Sequence, residues 1–501
     1  MINIARNFSL LILFSFTALT GFGQTAGIDA GNHKAGDVVS KKRTAKTPEG
    51  EIVNYELGTF YVPENRLKPD SRVIGVGFAR IKGDKSAGKF PVFQLPGGPG
   101  ESNLSNFTAS DIGSQRRLAN LIKYYGSVGD IVVIDQRGFS DYGDKMMFSL
   151  PPAPLDKPRS LEWETALLRD AAKDAVAANP GKDLSGYTIV QCAEDVNDLR
   201  RALGYEKIIL IGQSFGSQWS LAVMRLHPDT VARAQLSANE PLDNAYDMPS
   251  HIFASIQRIA RDADRDPSLA PYLPKGGVIA AIREVTERLK KAPVKVTVDG
   301  KSVVLGLEDF REGLLMPAAE MPVFVLSLYH GHYDAWARQV VEARKDAASP
   351  QALIGPLIDT SIGVSPEREK LLRTDAGLDF LGTGAFETYI NSADAWPTPD
   401  VGDDFRLPVA SKIPVLFFHG DWDTSTPIEN AFGMLPYFQN SRLVIVHRGS
   451  HGGRKEMLDR NPQILEAMVH FLRTGEFKDL PVEVELPEPK FQVPDFPILK
   501  K

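Results

Sequence analysis

The segment Lys207-Ile-Ile-Leu-Ile-Gly-Gln-Ser-Phe-Gly-Ser217 decides how this chain is read. Residues 208–211 form a short apolar run of the kind expected for a strand buried on both faces. Gly212-Gln213-Ser214-Phe215-Gly216 follows, a Gly-x-Ser-x-Gly pattern. Residues 217–227 then carry Trp219, Ala222, Val223 and Leu226 at helical spacing, with Pro228 just beyond. A strand that turns sharply into a helix strains its central residue and leaves no room for side chains at the two flanking positions. That turn lifts one hydroxyl above the sheet edge, which makes Ser214 the candidate nucleophile.

Working outward, apolar alternation predicts two strands over about 51–62 and 72–81, with a turn at 65–70. A third strand, 90–95, ends in Pro96-Gly-Gly-Pro-Gly100, and a fourth, 130–135, runs into Gln136-Arg-Gly-Phe-Ser140. A helix over 187–203 feeds the strand before Ser214, and the next strand, 231–236, ends at Ser237-Ala-Asn-Glu-Pro241. The alternation then stops. Residues 242–405 read as mainly helical, broken by one hairpin around Asp299-Gly300. Strands resume at 413–418 and 442–447, followed by a helix over 462–473. The expected fold class is α/β: a mostly parallel sheet with helices on both faces and a helical cap inserted after the sixth core strand. The predicted division is a signal peptide at 1–23, a flexible lead-in at 24–50 and a first core part at 51–241. The cap at 242–405, a second core part at 406–480 and an extended C-terminal tail at 481–501 complete it. Ligands of open sheets collect at the carboxyl ends of the strands, where an insertion leaving after Glu240 would sit as a lid.

The 501 residues are long enough for a large core, and 43% hydrophobic with 24% charged residues is ordinary globular composition. A formal charge of −6 with no basic stripe argues against nucleic acid as partner. Arg6 precedes an apolar run at 8–19 that is too short to span a bilayer, and Gly21 and Gly23 suit cleavage before Gln24. The expectation is export, periplasmic or secreted, with no membrane insertion after cleavage. Cys192 is the single cysteine, so no internal disulfide can form. His330-Gly-His332-Tyr-Asp334 has the look of a metal site, but positions two apart do not share a helix face. No metal or other cofactor is expected.

A serine hydroxyl needs a base, and the base needs an acid to hold its tautomer. In this architecture they follow the serine in the order acid, histidine. Of two aspartates in His419-Gly-Asp-Trp-Asp-Thr-Ser-Thr-Pro427, Asp423 lies further out on the loop and is the expected orienting acid, with Asp421 bracing the loop. His451, flanked by glycines past the last strand, is the expected base, and structural roles suit His419 and His447. The backbone N–H groups of Phe215 and Gly98 are the expected oxyanion donors. Glu240, fixed by Pro241, and Glu101, beside the oxyanion loop, are the candidate carboxylates for a substrate ammonium.

Gly-Gly-Pro-Gly at 97–100, Asp-Gln-Arg-Gly at 135–138, Gly-Gln-Ser-Phe-Gly at 212–216, Gly-Asp-Trp-Asp at 420–423 and His451-Gly together resemble the α/β-hydrolase fold. The likeness is closer to its proline iminopeptidase and tripeptidyl aminopeptidase branch. Two positions depart from that branch's usual pattern: Pro96 stands where a histidine is usual, and Phe139 where a glycine is. The resemblance implies a serine aminopeptidase that acts on free peptide N-termini under a helical cap. A carboxylic-ester hydrolase would use the same three side chains on a small ester. A non-catalytic binding module is disfavoured by their presence, and dehalogenase or epoxide hydrolase chemistry by a serine at the nucleophile position.

Overall fold

The computed structural model describes residues 33–84 and 88–497, so the expected signal segment at 1–23 lies outside the described residues. Ten strands form one sheet: β1 Val38–Lys46, β2 Ile52–Pro63, β3 Val73–Ile81, β4 Val92–Leu95, β5 Ile131–Ile134, β6 Ile208–Gln213, β7 Val231–Ser237, β8 Val415–Gly420, β9 Ser441–His447 and β10 Glu483–Glu485. Their order is β1-β2-β3-β5-β4-β6-β7-β8-β9-β10. The pairings from β1 to β5 are antiparallel, and all those beyond β5 are parallel.

The continuous apolar runs of the central strands are explained by burial on both faces. Ile208 and Leu210 of β6 pack with α3 (Ile189–Ala202) and α4 (Phe215–Leu226) through Cys192, Val196, Trp219 and Val223. Ile209 and Ile211 point the other way, toward Leu118, Leu121 and Tyr125 of α1 (Ile112–Tyr125) and Met468 and Phe471 of α7 (Pro462–Thr474). Each such side chain contributes about 1.5–3 kcal/mol on burial. Thr188 caps α3 by accepting from the Gln191 N–H, satisfying one of the free donors of the first turn.

Two expectations are corrected. Residues 38–46 lie in the expected flexible lead-in but form strand β1, paired with β2 from Val38 opposite Phe60 to Lys46 opposite Ile52. Its side chains are almost all exposed, so apolar alternation could not reveal it; backbone hydrogen bonds hold it. Lys41, Lys42, Arg43 and Lys46 charge this edge strand, which discourages pairing with a further chain. The cap therefore follows the seventh strand of the sheet, not the sixth.

The cap is also built from two segments rather than one. Besides 242–405 it takes the two-residue strand Met147–Phe148, which pairs with Gln351–Ala352, and the helix α2 (Leu161–Ala178), which packs against the helix Glu387–Ile390. Between them Pro151, Pro152, Pro154 and Pro158 withhold N–H donors, so this stretch cannot extend the sheet. The cap has its own core around Ile256, Ile282, Val285, Phe310 and Trp336, and that core reaches Trp422 and Phe491 of the body. Cap helices α5 (Pro249–Ala263) and α6 (Ile354–Ile362) lie nearest the carboxyl ends of the strands. Among the described residues no helix is long and apolar enough to cross a membrane.

Candidate active site

Ser214 sits between β6 and α4 at φ 57° and ψ −135°, a positive-φ conformation rare for any residue with a side chain. Its N–H donates to the carbonyls of Ser237 and Ala238, both at 3.1 Å, which tie the turn to the end of β7. The flanking glycines are required by contact. A Cβ on Gly212 would lie 2.2 Å from the Gly216 carbonyl oxygen, and one on Gly216 would lie 2.3 Å from that of Leu95.

His451 and Asp423 are brought together. The His451 Nδ1–H donates to Asp423 Oδ2 at 2.9 Å. That carboxylate is 1% exposed and accepts three more hydrogen bonds, from the N–H groups of Ser425 and Thr426 and from the Thr426 hydroxyl at 2.7 Å. Burial alone would raise its pKa, but the His451 imidazole and these donors hold it below the ordinary aspartate value. Burial likewise opposes the charged form of His451, yet Asp423, then Glu240 and Glu101, outweigh it and push the imidazole up to about 9.

His419 braces the acid loop. It is fully buried, with Nδ1 accepting from the Asn239 backbone and side-chain amides and Nε2–H donating to the Thr426 carbonyl at 2.6 Å. Burial keeps it neutral by lowering its pKa. His447 and Asp421 pair with each other at 2.9 Å, away from the serine, and Asp421 also accepts from the Arg448 N–H at 2.7 Å. His330 donates toward the Tyr272 carbonyl and His332 stacks on Phe496, and no cluster of metal-ligating side chains occurs among the described residues.

Ser214, His451, Gly97, Gly98 and Glu101 line one cavity of about 190 Å³ at the carboxyl ends of β4 and β6. The Gly97–Gly100 loop faces the serine, with Gly98 at φ 106°. Phe215 opens α4, so its N–H belongs to the unpaired first turn of that helix. These are the two donors expected to face an oxyanion.

The structure adds residues that sequence reading missed. Gln136 staples the oxyanion loop: its Nε2 donates to the Gly97 carbonyl and its Oε1 accepts from the Gly100 N–H, both at 2.7 Å. Asp135 accepts from Ser102 and Ser140, and buried Arg137 pairs with Asp195 and donates to the carbonyls of Glu64 and Gly186. The Asp-Gln-Arg-Gly run carries part of the family resemblance, but spacing alone does not disclose its bracing role. Gln213 holds the histidine loop, donating to the His451 carbonyl at 3.1 Å.

Carboxylates crowd the cap side. Glu240 accepts a hydrogen bond from the Ser214 hydroxyl at 3.3 Å. Burial, then Asp247, holds its pKa well above the ordinary glutamate value. Asp359 on α6 is 9% exposed, and burial pushes it up to about 8. It lies close enough to raise Glu240 and the phenol of Tyr246, whose buried hydroxyl has no hydrogen-bond partner among the described residues. Glu101 is raised by burial too. No single residue marked Asp359 in the sequence, since it lies in the helical region that carried no motif.

Two family models match the chain in order. The α/β hydrolase fold model covers residues 91–269, and the one described as TAP-like protein covers 381–482. The chain is an α/β hydrolase. Within that class it is similar to tripeptidyl aminopeptidases, which align along most of its length. The tripeptidyl aminopeptidase of Streptomyces lividans is 25% identical over 462 residues, covering 84% of this chain and 82% of that protein. The tripeptidyl aminopeptidase of Streptomyces coelicolor matches equally, with 81% of its length covered. Among solved structures, a thermophilic esterase from Thermogutta terrifontis aligns at 15% identity with a TM-score of 0.36, covering 83% of this chain and 99% of the esterase.

Proposed function

We propose that this hydrolase is an exported serine aminopeptidase that cleaves residues from free peptide N-termini through an acyl-enzyme on Ser214. The observation that carries the reading is the Asp423–His451 pair at 2.9 Å, whose histidine lines the same cavity as the strained Ser214. In this mechanism the serine rotates toward His451 Nε2, which takes its proton as Oγ attacks the scissile carbonyl. The Gly98 and Phe215 N–H groups receive the oxyanion. His451 then protonates the leaving amine, and a water repeats the sequence to free the acyl group. Asp423 keeps the imidazole in the required tautomer.

The acidic surroundings favour a substrate bearing an ammonium. Glu240, Glu101 and Asp359 place carboxyl groups beside or near the nucleophile, and no lysine or arginine pairs with Glu240 or Asp359 among the described residues. A protonated N-terminus supplies the missing charge. The similarity to tripeptidyl aminopeptidases points the same way, and the N-terminal Arg6 followed by an apolar run supports export.

The test is a panel of chromogenic peptides with free and blocked N-termini beside short acyl esters. Cleavage that needs the free amine and vanishes in Ser214→Ala is the expected result. Turnover of esters alone would replace the peptidase with a carboxylic-ester hydrolase. Silence on every substrate, with no labelling by a fluorophosphonate, would leave only a binding role.

A further inference from the structure

The Ser214 hydroxyl does not hydrogen-bond the histidine. It donates to Glu240 Oε1 at 3.3 Å, and this is the only side-chain hydrogen bond of Glu240 among the described residues. His451 Nε2, the nitrogen that must receive the serine proton, has no hydrogen-bond partner among them. Glu240 is itself held in place: its N–H donates to Ser217 Oγ at 2.9 Å, and the next carbonyl, of Pro241, accepts from Gln218 at 2.8 Å. Ser217 and Gln218 belong to the helix that Ser214 opens, so the carboxyl group and the nucleophile are positioned by one rigid element.

We propose that Glu240 parks the nucleophile in the free enzyme, and that a substrate ammonium releases it by pairing with the Glu240 carboxylate. The inference rests on the aminopeptidase reading of the same site. A carboxylate engaged by an ammonium is a poorer partner for a neutral hydroxyl, because the charged donor makes the stronger hydrogen bond. The freed hydroxyl then turns to the unoccupied Nε2. The same ion pair offsets the negative charge facing His451, which lowers the pKa of the base toward the working pH. Recognition of the amine and activation of the serine thus become one event, and an acyl compound without an amine meets an enzyme in its resting arrangement.

The experiment uses p-nitrophenyl acetate, whose acyl group leaves the amine position empty, with methylammonium chloride added in rising concentration. Tetramethylammonium and potassium chloride at equal ionic strength are the controls. Methylammonium is expected to raise Ser214-dependent turnover about fivefold, the factor one hydrogen bond of this kind corresponds to. Glu240→Gln, which keeps an acceptor for the hydroxyl but no charge, is expected to be indifferent to methylammonium. Glu240→Ala, which removes the acceptor, is expected to be equally indifferent yet faster than Glu240→Gln. Wild-type turnover that depends on Ser214 but is unchanged or inhibited by methylammonium overturns the parking role and leaves the hydrolase intact. Loss of all Ser214-dependent turnover on ester and peptide overturns both readings. The wild-type comparison needs no variant, so misfolding of either substitution cannot decide it.

Discussion

In the proposed mechanism His451 has to lose a proton while facing carboxylates, and that conflict sets the expected pH behaviour. Burial opposes its charged form, while Asp423, Glu240 and Glu101 favour it and prevail. With a pKa raised to about 9, the substrate-free imidazole is mostly protonated at neutral pH and cannot act as a base. On an amine-free ester, kcat/KM should therefore climb as pH rises toward that value. Removing a facing carboxylate lowers the pKa, so Glu101→Gln should move the rising limb to lower pH, as a pH–rate profile will show. The two aspartates of the acid loop separate by partner. Asp423→Asn, which forfeits the tautomer, should cost roughly 10³–10⁴-fold in kcat. Asp421→Asn touches only His447 and the Arg448 N–H and should keep most activity, as active-site-titrated kinetics will measure.

Short elements hold the reactive groups, and their packing sets how far each can stray. The Gly97–Gly100 loop has no regular structure of its own; Gln136, at the end of β5, supplies two hydrogen bonds that fix it. Gln136→Ala should lower kcat at least tenfold with a smaller change in KM, because a misaimed oxyanion donor is lost mainly in the transition state. Rescue by Gln136→Glu should be only partial, since a carboxylate accepts from Gly100 but cannot donate to the Gly97 carbonyl. The β6–α4 turn is less forgiving. Gly216→Ala puts a methyl group 2.3 Å from the Leu95 carbonyl oxygen, so strand and helix must separate. Loss of soluble protein, or a sharply lowered melting temperature, is the expected outcome.

Across the whole molecule, the cap and the sheet are joined where the acid and histidine loops meet α5. Arg258 pairs with Glu429 and donates to the Asp421 carbonyl at 3.1 Å, while Arg448 pairs with Asp262 at 2.6 Å and also with Glu485 near the C-terminal edge strand. Beyond β10 the chain crosses to the cap, where Phe491 stacks near Trp422 and the Tyr272 hydroxyl donates to the carbonyls of Pro494 and Phe496. The residue beside the catalytic acid candidate is thus packed by the end of the chain. Substituting both arginines by methionine removes three ion pairs, of which the two partly buried ones, to Glu429 and Asp262, contribute about 1 kcal/mol each. The expected readout is faster amide exchange in α5 and earlier melting of the cap in calorimetry, with the sheet less affected.

Much of this was legible because it depends on local chemistry. The buried strand, the flanking glycines around Ser214, and the reach of Asp423 rather than Asp421 to His451 follow from rules that act within a few residues: strand burial, collision at a tight turn, reach along a loop. What the amino-acid order could not disclose depends on backbone pairing or on distant neighbours. Strand β1 has exposed side chains and is held by its partner's amides, and the Pro-rich stretch before α2 joins the cap through distant partners, the Arg344 guanidinium donating to the carbonyls of Pro154 and Lys157 and the Val304 N–H to that of Leu155. Gln136 reached the oxyanion loop, and Asp359 the acidic rim, for the same reason. Hydrophobic periodicity records which face of an element is covered, whereas the identity of what covers it is decided when the elements pack.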